Sequence, residues 1–199
     1  MTGSSAAASA SSAGAVRPHS DGFRLGNDVL AFRFVATLSE RRGDPVERIP
    51  TPERLRAWLL ANSLGKQDMP VSESLLKEAR ELREAIHRSG VAIADGGAPD
   101  PAAERLLNRW NARHRPPLEL DGGVARWRLP DADPARAALA IVAFDAVATL
   151  GGHAGGVIKR CEQATCDGLF VDTSRGGRRR WCSMATCGNK VKKANLKRS

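Results

Sequence analysis

The stretch CEQATC at residues 161–166 is followed, after fifteen residues, by CSMATC at residues 182–187, and both segments have the same cysteine spacing. Cys161, Cys166, Cys182 and Cys187 are all the cysteines of the chain, so the pattern is C-x4-C-x15-C-x4-C. Two short-spaced pairs are typical of a tetrahedral zinc site, because each short loop turns two thiolates towards one ion. The pattern predicts one Zn²⁺ ion held by these four cysteines.

Two other interpretations of the cysteines stay open at this point: a pair of reducible disulfides and an iron site of the rubredoxin type. Persistent disulfides are disfavoured in the cytoplasm, which is the compartment that the sequence favours. Thiolate ligands also suit iron, although zinc is the commoner occupant of such a structural site. Four thiolates close the coordination shell, so the zinc is predicted to be structural rather than catalytic.

The segment that carries the cysteines, residues 157–199, is too poor in large apolar side chains to build a core of its own. Structural zinc contributes about 10 kcal/mol at neutral pH, so metal is predicted to be a condition of folding here. The sequence predicts a strand over 169–171, a turn, a return strand ending at Trp181, and a short basic helix over 189–198. The expected module is a small treble-cleft-like or ribbon-type zinc finger.

Positive charge is concentrated in the same segment. Residues 157–199 hold eleven lysines and arginines against three acids, a net charge of +8, whereas the first 156 residues hold 20 basic and 19 acidic groups. Such asymmetry is typical of a segment that binds a polyanion, with nucleic acid or an anionic membrane surface as the partner, or of a merely solubilising tail. The candidate nucleic-acid contacts are Arg175, Arg178, Arg179, Arg180, Lys190, Lys192, Lys193, Lys197 and Arg198.

The chain before residue 151 is predicted to be mainly α-helical. Five segments have apolar residues at helical spacing and start or stop signals, and a hairpin is expected around Asp121-Gly122-Gly123. The predicted helices run from Asn27 or Asp28 to Leu38, from Thr51-Pro52 onward, from Ser72 or Ser74 to Gly90, from Asp100-Pro101 to Pro116, and from Asp133-Pro134 to Gly151.

The predicted domain division follows from composition. Residues 1–20 are rich in Ser, Ala and Gly and are expected to be a disordered tail, and GGHAGG at 151–156 is expected to be a linker. Residues 21–150 then form a helical domain, and residues 157–199 form the basic four-cysteine finger. No run of about 18 apolar residues and no secretory signal is present, so a soluble, cytoplasmic protein is expected.

Few residues suggest enzymatic chemistry. The four histidines are dispersed, and phosphate-loop, dinucleotide and nucleophile-elbow motifs are absent from the sequence, so no catalytic residue is predicted. Arg33, Thr37 and Arg41 are candidates for contacting an anionic ligand, although arginines on a helix more often form a solvated face. The prediction is that the protein is not an enzyme.

The stretch FVDTSRGGRRRWCSMATCGNK, residues 170–190, resembles the CGNR zinc-finger family, whose members carry paired cysteines, a D-x-S-R turn and a closing C-G-N-R. Members typically place an ABATE domain before the finger, and FRFVATLSERR, LRAWL and LKEARELREAI are similar to that domain. The resemblance covers about residues 23–195. The sequence differs from the family pattern at two positions. Lys190 stands in place of the last arginine of C-G-N-R, and Ala36 stands where the family commonly has asparagine.

The resemblance implies a bacterial, stress-associated transcription regulator, with the finger on DNA and the helical domain sensing a small molecule. It places the metal ligands on the four cysteines. Lys190 lacks the planar fork of arginine, so a two-pronged base contact is not expected at that position. The alternative function is a zinc-stabilised module that binds another protein, such as a component of the transcription machinery. A homodimer is plausible because doubling the contacts raises specificity.

Overall fold

The computed structural model describes residues 22–196, so the predicted tail over residues 1–20, together with Lys197 and Arg198, lies outside the described residues. Within that range the chain is mainly α-helical, with three small antiparallel two-stranded sheets. The elements in chain order are α1 (Leu30–Val35), β1 (Leu38–Ser39), β2 (Val46–Glu47), α2 (Pro52–Ala61), α3 (Glu73–Ala94), α4 (Pro101–His114), β3 (Leu118–Asp121), β4 (Val124–Trp127), α5 (Pro134–Leu150), β5 (Val157–Arg160), β6 (Leu169–Asp172), a π-helical turn (Met184–Gly188) and α6 (Asn189–Leu196).

The predicted starts of four helices are confirmed. Thr51, Ser72, Asp100 and Asp133 each accept a hydrogen bond from a backbone N–H in the first turn of the helix that follows, which satisfies donors that have no partner within the helix. Three of these helices also have proline at the first helical position, where its missing N–H costs nothing.

The core of the body, which we define as residues 22–150, surrounds α5. This helix is apolar on nearly every side, as expected of a helix enclosed by others, and it packs against α1, α3 and α4. Leu139, Val142 and the alanines around them are almost fully buried, and Trp58 and Phe34 pack against each other in the same cluster. The fold class is therefore the predicted one: a helical part with a small hairpin, followed by a small cysteine-rich module.

The first helix is shorter than predicted. It spans only Leu30–Val35, and its first turn is capped by a distant carboxylate, because Ala31 N–H donates to Asp145 of α5 at 2.8 Å. Asn27 does not cap the helix in the predicted way. Its side chain instead accepts from Val29 N–H and donates to the backbone oxygen of Leu169.

The third helix continues beyond its predicted end. Gly90 lies inside α3, which runs to Ala94 and shows no left-handed backbone at that position. A Cβ atom at Gly90 would lie 2.4 Å from Cδ1 of Leu169, so glycine is needed for close packing rather than for stopping the helix. The sequence around Gly90 suggested the end of a helix. Glycine is present there because of its contact with Leu169, which lies 79 positions later in the chain.

The predicted strand over 169–171 is confirmed as part of β6, but the predicted return strand ending at Trp181 is wrong. The partner of β6 is β5, with Ile158 opposite Val171 and Arg160 opposite Leu169. After β6, the Asp172 carboxylate accepts hydrogen bonds from the backbone N–H groups of Ser174 and Arg179 and closes a compact turn. The chain then leaves the strand direction, and the backbone oxygen of Arg180 accepts a hydrogen bond from Glu162 N–H.

The predicted hairpin before α5 is confirmed. β3 and β4 pair around Gly122 and Gly123, both of which have positive φ angles, as a tight two-residue turn requires. Leu120, 79% exposed, lies on the outer part of this hairpin. Trp127 at its base packs edge-on against Phe144 of α5.

The cysteine-rich module, called the finger below and defined as residues 157–196, shares a core with the body. Ile158, Leu169 and Val171 belong to the same buried cluster as the residues of α1, α3 and α5. The cysteines form a second, separate cluster with Trp181. The division of the chain into independent domains stays a prediction, and the described contacts between the two parts are extensive.

Candidate metal centre and basic surface

The four cysteines lie together at one end of the finger. Their sulfur atoms all lie within 4.8 Å of one another, and the Sγ atom of Cys182 lies 3.7 Å from that of Cys166 and 3.6 Å from that of Cys187. Cys161, Cys166 and Cys187 are buried, whereas Cys182 is partly exposed. Residues that are separated by up to 26 positions thus converge on one point.

Each pair is held by its own local structure. Cys161 follows β5, and its backbone N–H donates to the oxygen of Gly168, which closes the loop that carries Cys166. Asp167, with φ of 75°, turns the chain back into β6. Cys187 lies in the π-helical turn, whose start is capped by the Ser183 hydroxyl accepting from Thr186 N–H. The second pair is therefore carried by a helical turn rather than by a second hairpin, which fits the treble-cleft-like alternative.

The arrangement fits a zinc ion. Zn–S bonds of about 2.3 Å in a tetrahedron place the sulfur atoms about 3.8 Å apart, close to the separations in this cluster. Backbone N–H groups of Gly168 and Cys182 point at the sulfurs of Cys166 and Cys161, at 3.3 and 3.5 Å, and partly neutralise thiolate charge. Bound zinc supplies a structural cross-link between the two cysteine pairs. The predicted cofactor, one structural Zn²⁺, is confirmed by this geometry.

The predicted nucleic-acid contacts fall into four groups, of which the fourth is Arg179 alone. Arg175, Arg178, Lys192 and Lys193 are exposed and form no ion pair with any residue in the range 22–196. Arg180 and Lys190 are also exposed, but each is paired with a carboxylate. Lys197 and Arg198 lie outside the described residues.

Arg179 is turned into the finger. Its guanidinium donates to the backbone oxygens of Trp181 and Cys182 at 3.1 and 2.9 Å, and it lies over the ring of Phe170. These contacts tie the segment after the turn to β6 and to the third cysteine. The sequence could not distinguish this arginine from its neighbours, because Arg178, Arg179 and Arg180 have the same local context.

Glu40, a residue that the sequence interpretation did not single out, joins the body to the finger. Its carboxylate accepts hydrogen bonds from Arg24 of the body and from Thr165 and Lys190 of the finger, the last at 2.9 Å. Burial raises the pKa of Glu40, but the hydrogen bonds from these three partners outweigh that effect and lower its pKa to about 2. Glu40 is thus ionised at neutral pH, and Lys190 of the CGNK motif is engaged within the protein.

Asp167 forms a second junction. It accepts hydrogen bonds from Arg42 of the body and Arg160 of the finger, and it lies 3.2 Å from Nε2 of His87 on α3. Burial lowers the pKa of His87, with the positive charge of Arg41 acting in the same direction. Because Asp167 directly follows the ligand Cys166, this junction fixes the metal loop against α3.

The three candidate ligand contacts of the body all have internal partners. Arg33 donates to the backbone oxygen of Asn27 and to the Asn62 side chain. Thr37 is buried and accepts from Arg83. Arg41 forms a two-pronged ion pair with Glu84. Arg83 also donates to Glu84, so Thr37 and Arg41 belong to one hydrogen-bond network, whereas Arg33 has separate partners. The ligand-binding role of the three side chains stays a prediction.

Two family models match the chain. Residues 28–153 match ABATE, a family described as "Putative stress-induced transcription regulator", and residues 158–198 match the CGNR zinc finger. No curated protein matches the chain. Among residues 22–196, no helix combines the length and apolar character needed to cross a bilayer. The matched segments agree with the resemblance and with the cysteine cluster, and the chain therefore belongs to the ABATE family and carries a CGNR zinc finger.

Proposed function

We propose that the protein is a transcription regulator whose finger binds DNA directly. The observation that carries this proposal is the group of four exposed basic side chains on a metal-built module that, among residues 22–196, form no ion pairs: Arg175, Arg178, Lys192 and Lys193. Phosphate contacts supply most of the affinity of such proteins, and a backbone held by metal presents cations at low entropic cost. Both matched families are regulatory or zinc-finger families rather than enzyme families.

The proposed contact surface is narrower than the sequence alone suggests. We leave Arg179 out of it, because a phosphate contact would break its hydrogen bonds to the backbone of Trp181 and Cys182. Lys190 contributes less than its motif implies, since it is paired with Glu40. The surface then consists of Arg175 and Arg178 in the turn after β6, of the exposed side of α6, and of Arg180, which is exposed but paired with Glu162.

Salt dependence tests the proposal. If the finger neutralises about five phosphates, a plot of log K against log[salt] for duplex DNA has a slope of about −4 to −5. Fluorescence anisotropy with zinc-loaded protein and labelled duplexes of random and genomic sequence measures that slope. No binding at low salt would refute direct DNA contact and favour the alternative, in which the basic surface meets an acidic protein.

A charge-matched pair of variants localises the interaction. Lys192→Ala/Lys193→Ala removes two cations from the finger, and Lys77→Ala/Arg105→Ala removes two exposed cations from the body. We expect the finger variant to bind at least about tenfold more weakly at about 0.1 M salt, with a slope smaller in magnitude by about 2, because two phosphate contacts are lost. The body variant should behave like the unmodified protein, and equal losses in the two would contradict the assignment.

We further propose that the helical body senses a small molecule and that the protein acts as a homodimer, since one finger offers few base contacts. The match of residues 28–153 to a family described as "Putative stress-induced transcription regulator" supports the first part, since such a regulator needs an input. Sedimentation equilibrium of the zinc-loaded protein tests the second, and a strict monomer on its DNA site would contradict it.

A further inference from the structure

A cavity of about 220 Å³ lies between the body and the finger. Its body side is formed by Leu25 in the chain before α1, by Phe32 of α1 and by Ala36, which follows α1. Its finger side is formed by Leu169 of β6 and by the π-helical turn, through Met184 and Ala185. Met184 is 52% exposed and lies at the mouth, so the cavity communicates with solvent.

The polar groups in the cavity wall already have partners. The Asn27 side chain is bonded to Val29 and Leu169 backbone atoms, and the Ser183 and Thr186 hydroxyls are bonded to each other. Arg24 is paired with Glu40. An occupant would therefore gain mainly from apolar contact, and any polar group it carried would find few free partners.

Charge sets a second condition on the occupant. Cys166 and Cys182 line the cavity, and four thiolates around one Zn²⁺ would give the metal site a net charge of about −2. The positive side chain of the wall, Arg24, shares the carboxylate of Glu40 with Lys190. An anionic molecule would lose its hydration in a mainly apolar cavity whose cation already has a carboxylate partner, whereas a neutral molecule would lose much less.

Size sets the third condition. An apolar cavity of about 150 Å³ accommodates benzene, so a cavity of this volume takes a molecule of about ten non-hydrogen atoms. Drug-sized sites are usually larger, above about 300 Å³. A flat bicyclic ring system is larger than benzene and smaller than a drug-sized molecule, so its size fits the cavity.

We propose that this cavity is a binding site for a neutral, compact and mainly apolar molecule, such as a bicyclic ring system, and that the occupant strengthens the attachment of the finger to the body. The occupant contacts both walls at once, so it binds the attached arrangement and stabilises it by mass action. The finger wall at Met184 and Ala185 continues directly into α6, which carries Lys192 and Lys193. A bound molecule therefore influences the position of α6 and its basic side chains. This effect on DNA binding rests on the function proposed above, whereas the binding site itself does not.

Calorimetry and thermal unfolding of the zinc-loaded full chain, without DNA, test the site directly. The probes are indole and quinoline as neutral compounds and indole-3-carboxylate as an anion of similar shape, each at about 1 mM. At about ten times Kd we expect a neutral probe to raise Tm by about 3–5 °C, and the anion to have no such effect. If neither neutral probe binds, or if the anion binds equally well, the proposal is wrong.

Variants place the probe in the cavity. Ala36→Phe fills it from the body side and Ala185→Leu narrows it from the finger side, whereas Ala102→Phe adds the same ring at an exposed position on α4. We expect the first two to weaken probe binding at least tenfold and the third to leave it unchanged. Wild-type affinity in a folded Ala36→Phe or Ala185→Leu variant would overturn the assignment.

The effect of the probe on DNA binding is measured in a separate experiment. If the protein binds duplex DNA, a bound neutral probe should change that affinity in the unmodified chain and not in Ala36→Phe. Loss of DNA binding with intact probe binding would refute only the proposed function. Intact DNA binding with no probe binding would refute only the cavity assignment.

Discussion

At the scale of single residues, Glu40 joins the two parts of the protein, because its carboxylate has partners in both. Its φ angle of 56° is unusual for a residue with a side chain, and the strain is compensated by bonds to Arg24, Thr165 and Lys190. Its side chain is only 14% exposed, so these charged contacts are poorly screened by water. Glu40 therefore contributes to stability through its ionised form.

Substitution of Glu40 tests this contribution. Glu40→Gln keeps the shape but removes the charge, and we expect it to lower the free energy of unfolding by about 2 kcal/mol at neutral pH, since hydrogen bonds to charged groups are lost. Chemical denaturation with zinc present measures the change. Glu81→Gln, at an exposed position on α3 without an ion pair among residues 22–196, is the control and should be neutral.

The same substitution has a defined pH dependence. The folded-state pKa of Glu40, about 2, lies below its ordinary value of 4.5, so its stabilisation is complete above pH 4.5 and disappears as the pH falls towards 2. We expect the difference in stability between the unmodified protein and Glu40→Gln to narrow across that window. A difference that stays constant down to pH 2 would contradict the role of the ionised carboxylate.

At the scale of elements, the contact of α3 with β6 depends on a glycine. Gly90 leaves room for Leu169, which is 1% exposed and belongs to the shared core. A helix would gain up to about 1 kcal/mol from alanine at this position, but overpacking typically costs about 1–3 kcal/mol. The steric cost is expected to exceed the gain in helix propensity.

A double-mutant cycle tests the fit between these elements. We expect Gly90→Ala to destabilise the protein by about 1 kcal/mol and Leu169→Ala by about 2–4 kcal/mol, whereas in the double variant the new methyl group occupies part of the space that Leu169 leaves. The double variant should thus be more stable than the sum of the two changes implies. Additive effects would show that Gly90 and Leu169 do not constrain each other.

At the scale of the whole molecule, the finger and the body are joined by a common core and by charged contacts that include those at Glu40 and Asp167. Composition alone suggested a finger that could unfold by itself after the glycine-rich segment 151–156. Since Ile158, Leu169 and Val171 pack into the helical core, loss of the metal should also expose part of that core. We therefore expect zinc to stabilise the body as well as the finger.

Removal of one ligand tests this coupling. Cys166→Ser should abolish stoichiometric zinc binding and lower the Tm of the helical circular dichroism signal by about 10 °C, since the finger no longer covers the core. Thr173→Ala, which changes an exposed residue of the finger that is not a metal ligand, should alter neither the zinc stoichiometry nor the Tm. Unchanged zinc stoichiometry in Cys166→Ser would refute the ligand assignment, and an unchanged helical Tm would show that the body folds independently.

The amino-acid sequence by itself determined the features that depend on neighbours along the chain. Four helix starts were predicted correctly because caps such as Thr51 and Asp100 act within one helical turn. The zinc cage was predictable because each cysteine pair is a short-range motif and four clustered thiolates are typical ligands of structural zinc. The concentration of positive charge in residues 157–199 is likewise a property of the sequence.

Only the tertiary structure decided which distant residues meet. It engaged Arg179 in hydrogen bonds and left Arg178 exposed, although the two are adjacent. It paired β6 with β5 rather than with the predicted return strand, and it matched Gly90 to Leu169 and Glu40 to Lys190. The physical reason is that these contacts depend on packing and on burial of charge between segments far apart in the chain, for which no local spacing or propensity provides a signal.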